Sequence, residues 1–278
     1  MTIVVTGATG NVGRPLVRAL VAAGADVRAV SRQPNHAALP AGVEVVESAA
    51  AAIPGASAVF LNSRALGEDL AEVVDQARRQ GVARLVALSA INADDDFSVQ
   101  PSRFRGDRNK EVEQLAVESG LDWVSLRPSA FASNFGGMWS AQIRLGDVVN
   151  GPYAAAAIAP IVDSDISAVA ARALLSDDLL GQKVPLTGPQ SLTNEQMVGI
   201  IGTVLGRSLR YQEIPADLVA RRFAELGLGE QFGQAYVSLL AATVGLDAVV
   251  TEDVEKILGR PAQTFEQWVV DHRDLFTQ

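Results

Sequence analysis

The 278-residue sequence has no cysteine and only two histidines, His36 and His272. Without thiols the chain has no disulfide, no cysteine nucleophile and no cysteine-ligated zinc or iron–sulfur cluster, and this composition suits a reducing compartment. Two imidazoles are too few for a multi-histidine metal site or a histidine-based proton relay. We therefore expect a cytoplasmic protein without a metal site.

The chain also lacks basic tracts and long hydrophobic runs. Its 32 acidic residues outnumber its 23 lysines and arginines, and the net charge of −9 argues against binding to nucleic acids or anionic membranes. The longest uncharged windows, residues 128–143 and 231–246, span 16 residues each, whereas a transmembrane helix requires about 20 mostly apolar residues. The N-terminus has no basic segment of the kind that opens an export signal. We expect neither a nucleic-acid partner nor a membrane span.

Hydrophobic residues make up 48% of the chain, and in the first half they alternate between strand runs and helical spacing. A strand pattern at residues 3–6 precedes a helical pattern at residues 12–21, and similar units repeat to about residue 128. Such units predict a Rossmann-type α/β fold, a doubly wound parallel sheet with helices on both faces. We expect a Rossmann domain at residues 1–150 and a smaller, partly helical substrate-binding region at residues 151–278, with an approximate boundary across which segments can interleave.

The strongest local signal is a glycine-rich segment between the first predicted strand and the first predicted helix. Gly7 permits a tight turn, Gly10 lets a pyrophosphate approach the backbone, and Gly13 allows the helix to pack closely on the strand. The amides at the helix N-terminus favour a bound anion. The candidate cofactor-binding residues here are Gly7, Thr9, Gly10, Asn11, Val12 and Gly13. The alternative is a structural turn without a ligand.

The end of the second predicted strand indicates which dinucleotide binds. An acidic residue there would bond to the 2′-hydroxyl of NAD(H), but this sequence has Ser31 and Arg32. A guanidinium beside a small hydroxyl suits the 2′-phosphate of NADP(H). We therefore favour NADP(H) over NAD(H); the alternative is that Arg32 is an ordinary surface residue.

Further motifs occur in a fixed order along the chain. They lie at residues 6–13, 31–32, 88–90, 109–113, 119–123, 126–128, 131–134, 163–166 and 186–189. As an ordered set they resemble the extended and atypical short-chain dehydrogenase/reductase superfamily and, within it, the NmrA-like group, which includes NADPH-dependent quinone reductases and regulatory redox sensors. The resemblance implies that Asn62 and Ser89, after the fourth and fifth strands, line the cofactor and that Phe131 borders the nicotinamide.

One position departs from the superfamily pattern. Short-chain dehydrogenases normally carry a tyrosine four residues before a lysine on one helix face, where the lysine holds the ribose and activates the phenol. Lys110 stands at the lysine position, but the residue four positions earlier is Gly106. Three outcomes are open: Lys110 itself acts as the general acid after burial beside the cofactor, water protonates the reduced product, or the protein binds NADP(H) without turnover. The structural alternative for Lys110 is a solvated residue paired with a nearby glutamate.

An uncharged segment after the sixth predicted strand supplies the candidate substrate pocket. Its residues Phe131, Asn134, Phe135 and Trp139 could form an apolar lid over a flat aromatic substrate such as a quinone, or the aromatic ones could be ordinary core. Further along, Asp163 and Asp165 are expected to cap the N-terminus of a helix.

These patterns together predict an NADPH-dependent reductase of a small carbonyl or quinone-like substrate, apolar or aromatic, that acts as a monomer or homodimer. The nicotinamide would supply hydride and the protein would supply orientation. The alternative is a non-catalytic NADP(H)-binding redox sensor that acts through a protein partner. Gly106 favours the sensor, and the aromatic segment favours the enzyme.

Overall fold

A computed structural model of the chain shows the alternation of strands and helices that the sequence predicts. The structure describes residues 1–34 and 37–277, so His36 lies outside the described residues. The strands are β1 (Thr2–Val5), β2 (Asp26–Val30), β3 (Glu44–Val46), β4 (Ala58–Asn62), β5 (Arg84–Leu88), β6 (Asp122–Pro128), β7 (Val148–Gly151), β8 (Ala157–Ile158), β9 (Gln182–Leu186), β10 (Leu192–Thr193) and β11 (Arg210–Glu213). The helices are α1 (Gly13–Ala22), α2 (Ala49–Ala52), α3 (Ser63–Leu66), α4 (Leu70–Arg79), α5 (Asn109–Glu118), α6 (Ala132–Leu145), α7 (Asp163–Leu175), α8 (Asn194–Leu205), α9 (Ala216–Glu225), α10 (Glu230–Ala241), α11 (Asp253–Leu258) and α12 (Phe265–Asp271).

Seven of these strands form one sheet in the order β3-β2-β1-β4-β5-β6-β9. Every neighbouring pair in it is parallel. The chain runs outward from β1 through β2 to β3 and then returns to the other side of β1 with β4. Ligands of such sheets bind outside the carboxyl ends of the strands, where the order reverses. The predicted Rossmann-type fold is therefore confirmed, and the reversal between β1 and β4 marks the place to look for a site.

Both faces of this sheet are covered, which explains why its strands are almost continuously apolar. Ile3 and Val5 of β1 point to a core shared with α1, α7 and α11. Val4 points to the opposite core, which includes residues of α2, α4 and α5. Alternate residues of one strand thus enter two different cores, as the period of a strand requires.

The two predicted regions interleave along the chain. β9 pairs with β6 at the edge of the main sheet, and α7 packs on α1, although both lie within residues 151–278. The remaining C-terminal elements include two small sheets, β8 with β10 and β7 with β11. Residues of α6, α8 and α12 share a third core with them. The chain therefore leaves the Rossmann sheet after β6 and re-enters it at β9.

The two aspartates at the start of α7 do not cap it, so this prediction is wrong. Val162 is the N-cap residue and provides no side-chain cap. Asp165 instead accepts hydrogen bonds from the Arg260 guanidinium and the Gln263 backbone N–H, each 2.7 Å long. Both carboxylates lie in the first turn, where the helix dipole favours negative charge, but neighbouring segments bury them and supply their partners. No helix in the described ranges is long and apolar enough to cross a membrane.

Candidate functional site

The glycine-rich segment forms a turn at the carboxyl end of β1, directly at the reversal of strand order. Gly7 has φ +67°, a conformation that favours glycine, and the N–H of Gly10 donates to its carbonyl oxygen over 3.0 Å. A Cβ atom at position 13 would lie 2.1 Å from that same oxygen. Only glycine therefore lets α1 begin so close to β1.

Three residues of this turn are exposed where a phosphate group can reach them. Thr9, Gly10 and Asn11 are exposed, while the side chain of Val12 is buried in the core under α1. Exposed amides at the start of a helix suit an anionic ligand. The residues present thus fit a dinucleotide pyrophosphate, with Val12 acting through its backbone and its packing.

Polar groups tie the ends of β1 and β4 together beside the turn. The Thr6 hydroxyl donates to the carbonyl of Phe60 over 2.8 Å and accepts from the backbone N–H of Asn62 over 2.8 Å. The Asn62 side chain caps α3 by accepting the N–H of Ala65 over 3.2 Å. Asn62 also lies against the turn, since a Cβ atom on Gly7 would be 3.0 Å from its Nδ2. The structure therefore brings Asn62 to the turn.

At the end of β2, Ser31 is buried and Arg32 is exposed. The Ser31 hydroxyl accepts the backbone N–H of Gln33 over 3.2 Å. Within residues 1–34 and 37–277, the Arg32 guanidinium forms neither a hydrogen bond nor an ion pair. We call the reversal of strand order between β1 and β4 the switch point. Arg32 lies at the carboxyl end of β2, the strand next to β1, and this position is consistent with binding of a 2′-phosphate.

Arg14, which the sequence patterns did not single out, fastens this edge of the site. Its guanidinium donates to the carbonyls of Ala37 and Ala38 over 2.9 Å each and to that of Thr9 over 3.3 Å. It thereby joins the glycine turn to the loop that follows β2. The available signal was a basic residue immediately after the third glycine.

At the end of β5, Ser89 is buried and donates to the backbone carbonyl of Asn109 over 2.8 Å. Asn109 is the first residue of α5, so this bond sets the start of the helix that carries Lys110. The Lys110 side chain is 39% exposed, and its Nζ lies 3.9 Å from Oδ1 of Asp94.

The structure gives a reason for the missing tyrosine. Gly106 has φ +96° and ends the short 3₁₀ segment Pro101–Arg105, and α5 begins only at Asn109. Position 106 therefore precedes the helix that carries Lys110. A tyrosine there would be strained and would not share a helix face with the lysine.

Three residues after Lys110 on α5, the buried carboxylate of Glu113 accepts hydrogen bonds from two cationic side chains and one hydroxyl group. Glu113 accepts from Ser125 Oγ over 2.6 Å, from Arg127 over 2.6 and 2.8 Å, and from Lys183 Nζ over 2.6 Å. Burial by itself raises the pKa of Glu113, but the bonds from Arg127, Lys183 and Ser125 outweigh it and lower the pKa to about 2. Arg127 also reaches Asp94 over 2.8 Å. Ion pairs thus connect α5 with β6, β9 and the loop after β5.

The candidate pocket residues divide into two pairs. Phe131 is half-buried and Asn134 is exposed at the start of α6. Phe135 and Trp139 are only 2% and 3% exposed and belong to the third core. The Phe135 ring centroid lies 5.0 Å from that of Trp139 and 5.8 Å from that of Phe265. This packing favours the interpretation of Phe135 and Trp139 as core, and leaves Phe131 and Asn134 as the accessible candidates.

Within the described residues there is no group of three or more histidines, aspartates or glutamates placed to hold a metal ion.

Comparisons with known proteins agree with this geometry. A family model described as NAD(P)H-binding matches residues 7–173. The chain is 33% identical to a (4-alkanoyl-5-oxo-2,5-dihydrofuran-3-yl)methyl phosphate reductase of Streptomyces griseus and 29% identical to an NAD(P)H azoreductase of Xenophilus azovorans, with 99% of each chain covered in both cases. Its fold resembles that of an NADPH-dependent quinone oxidoreductase from Escherichia coli, with a TM-score of 0.81 and 21% identity over 99% of this chain and 100% of the other.

Proposed function

The chain belongs to the NAD(P)H-binding family as an NAD(P)H-dependent reductase, and from this premise we propose that it uses NADPH to reduce a small carbonyl or quinone-like substrate. The observation that carries the proposal is the glycine turn at the switch point. Thr9, Gly10 and Asn11 of this turn are exposed, and its third glycine has no room for a side chain. The turn would hold the pyrophosphate, and Asn62, Ser89 and Lys110 would line the ribose and nicotinamide.

The preference for NADPH rests on the charges at the end of β2. Ser31 and Arg32 stand where NAD-binding sheets place an acidic residue. Arg32 would pair with the 2′-phosphate, and Arg14 would hold the adjoining loop against the turn. An E. coli quinone oxidoreductase of similar fold, solved with NADPH bound, is consistent with this choice.

The substrate class follows from the groups that are missing around Lys110. When bound, the nicotinamide supplies the hydride. No tyrosine shares a helix face with Lys110, so the protein offers no phenol in the usual place to protonate a substrate oxygen. An acceptor that takes up hydride without enzymatic proton donation, such as a quinone, is the best match. The names of the relatives, which denote an unsaturated furanyl phosphate reductase, an azoreductase and a quinone oxidoreductase, support such acceptors.

The test is to measure NADPH oxidation in the presence of quinones, aldehydes and ketones, with NADH as the matched cofactor. We expect turnover with at least one quinone and faster turnover with NADPH than with NADH. Tight NADPH binding without turnover of any acceptor would contradict the proposed reductase activity and favour the redox-sensor alternative.

A further inference from the structure

A serine hydroxyl at the start of α6 connects the glycine turn to the C-terminal half of the chain. The Asn11 side-chain amide donates to Ser133 Oγ over 3.0 Å. Ser133 Oγ in turn donates to Asp163 Oδ1 over 2.8 Å, and the Ser133 backbone N–H points to Asp163 Oδ2 over 3.4 Å. Three segments that lie far apart in the sequence therefore meet at one hydroxyl.

A second tether reaches the glycine turn from α7, the helix that also carries Asp163. Ser167 Oγ is buried and lies 2.7 Å from the carbonyl oxygen of Val12 and 2.9 Å from that of Asp163. Its single proton is shared between these two acceptors. Asn11 is thus held through Ser133 and Asp163, and the adjacent Val12 is held by Ser167 of α7.

The direction of the bonds in this network follows from the single proton of the Ser133 hydroxyl. Ser133 donates that proton to Asp163, which is 7% exposed and in its ionised form only accepts hydrogen bonds. The Ser133 oxygen keeps a lone pair for the amide of Asn11. Burial raises the pKa of Asp163, and the bonds from Ser133 oppose that effect. The orientation of the Asn11 side chain is thus determined by a carboxylate that it does not touch.

We propose that Ser133 and Asp163 are positioning residues that hold the glycine turn in its ligand-binding shape. The inference rests on the proposed function, because it assumes that the turn binds the NADPH pyrophosphate. Gly10 and Asn11 are exposed, and the described core contains no side chain from either of them. The side-chain tethers therefore add to the backbone bond from the Gly10 N–H to the Gly7 carbonyl, and preorganised amides bind an anion more tightly because less order has to be created on binding.

The same contact has a consequence for the substrate. α6 begins at Ala132, between the accessible pocket residues Phe131 and Asn134. Coupling between two sites is reciprocal, so a bound cofactor that holds the turn also holds the start of α6. We therefore expect NADPH and the acceptor to increase each other's affinity by the same factor.

The test is calorimetric titration of the full chain with NADPH, with thermal unfolding measured in parallel. Ser133→Ala removes the shared hydroxyl and is expected to weaken NADPH binding about tenfold, the effect of one lost hydrogen bond in a charged network. Ser133→Thr keeps the hydroxyl and is expected to restore most of the affinity. Ser140→Ala is the matched control, because Ser140 lies on the same helix and makes no side-chain hydrogen bond to any residue that the structure describes.

A double-mutant cycle separates positioning from general stability. Asn11→Ala with Ser133→Ala should weaken binding no more than the stronger single substitution does, because both remove the same tether. Lower thermal stability of Ser133→Ala with unchanged NADPH affinity would overturn the inference and leave the proposed function intact. Failure of the unsubstituted protein to bind NADPH would overturn both.

Discussion

The two sides of the switch point are built in different ways. On the β1–β2 side the backbone makes the site, through a turn whose glycines are set by φ and by a close approach of 2.1 Å. On the β5–β6 side, side chains make it, through the chain of ion pairs that runs from Glu113 to Arg127 and Asp94. At position 13 the first side has no room for an added atom, whereas the second side depends on paired charges.

The difference follows from what each side has to do. A pyrophosphate requires several N–H donors in one place, and a helix N-terminus supplies them only if nothing blocks the approach. Under the proposed function, the β5–β6 side would have to align a helix, two strand ends and a loop around the nicotinamide. Charged groups from separate elements can hold such parts together because a buried carboxylate needs partners wherever they come from.

Adding one methyl group to the backbone-built side should have the largest effect. Gly13→Ala places a Cβ atom 2.1 Å from the Gly7 carbonyl oxygen. We expect a loss of about 3 kcal/mol in unfolding free energy, because the neighbouring atoms are backbone and cannot move aside cheaply. NADPH binding should be lost as well. Chemical denaturation and calorimetry measure the two effects.

The control is Gly199→Ala in α8, where no atom lies within 4 Å of the added Cβ. Alanine favours a helix over glycine by about 1 kcal/mol, so this variant should be at least as stable as the unsubstituted chain. Equal behaviour of the two variants would contradict the account of the turn.

Neutralising one charge should have the next largest effect, on the other side. Glu113→Gln leaves Arg127 and Lys183 without the carboxylate that is 3% exposed between them. Removing one partner of a buried pair costs about 3 kcal/mol. The exposed Glu118 on the same helix is the control, and Glu118→Gln should leave stability unchanged.

The pH dependence of stability provides an independent measure of Glu113. Its pKa of about 2 in the folded protein lies below the ordinary 4.5. The ionised network therefore contributes its stabilisation, about 3 kcal/mol, above pH 4.5, and this is lost as the pH falls from there towards 2. Glu113→Gln should remove that part of the acid dependence. An unchanged acid profile in the variant would show that Glu113 does not carry it.

Arg32→Ala tests the cofactor preference on the backbone-built side. The loss of a guanidinium–phosphate contact should weaken NADPH binding about tenfold and leave NADH binding unchanged. Arg18→Ala, an exposed arginine on α1, serves as the control for charge alone. Parallel titrations with both dinucleotides measure the preference, and an equal loss for both would remove the role of Arg32 at the 2′-phosphate.

The sequence predicts the backbone-built side better than the side built from side chains. Gly7, Gly10 and Gly13 lie three residues apart and reveal a local backbone requirement, so the sequence predicts the turn, and the repeated strand and helix patterns predict the parallel sheet. The Glu113 network joins residues on α5, β6 and β9, and no spacing in the sequence reveals it. The roles of Phe135 and Trp139 could not be predicted either, because their spacing on a helix does not distinguish packing against other core residues from packing against a substrate. Ser133 and Arg14 act through contacts across the fold, so only their neighbours in space reveal them.

The smallest expected effect concerns Lys110, which lies beside Asp94 on the β5–β6 side. Its ammonium lies 3.9 Å from Asp94 and is partly exposed, so we expect it to hold the cofactor as a cation rather than to transfer a proton. Lys110→Met should then weaken NADPH binding about threefold to fivefold, as is typical of one exposed charge contact. Lys110→Arg should bind almost normally, and Lys256→Met on the exposed surface of α11 is the control. If Lys110→Met instead abolished turnover while NADPH affinity stayed intact, Lys110 would be the proton donor, and protonation of the reduced product would depend on a side chain rather than on water.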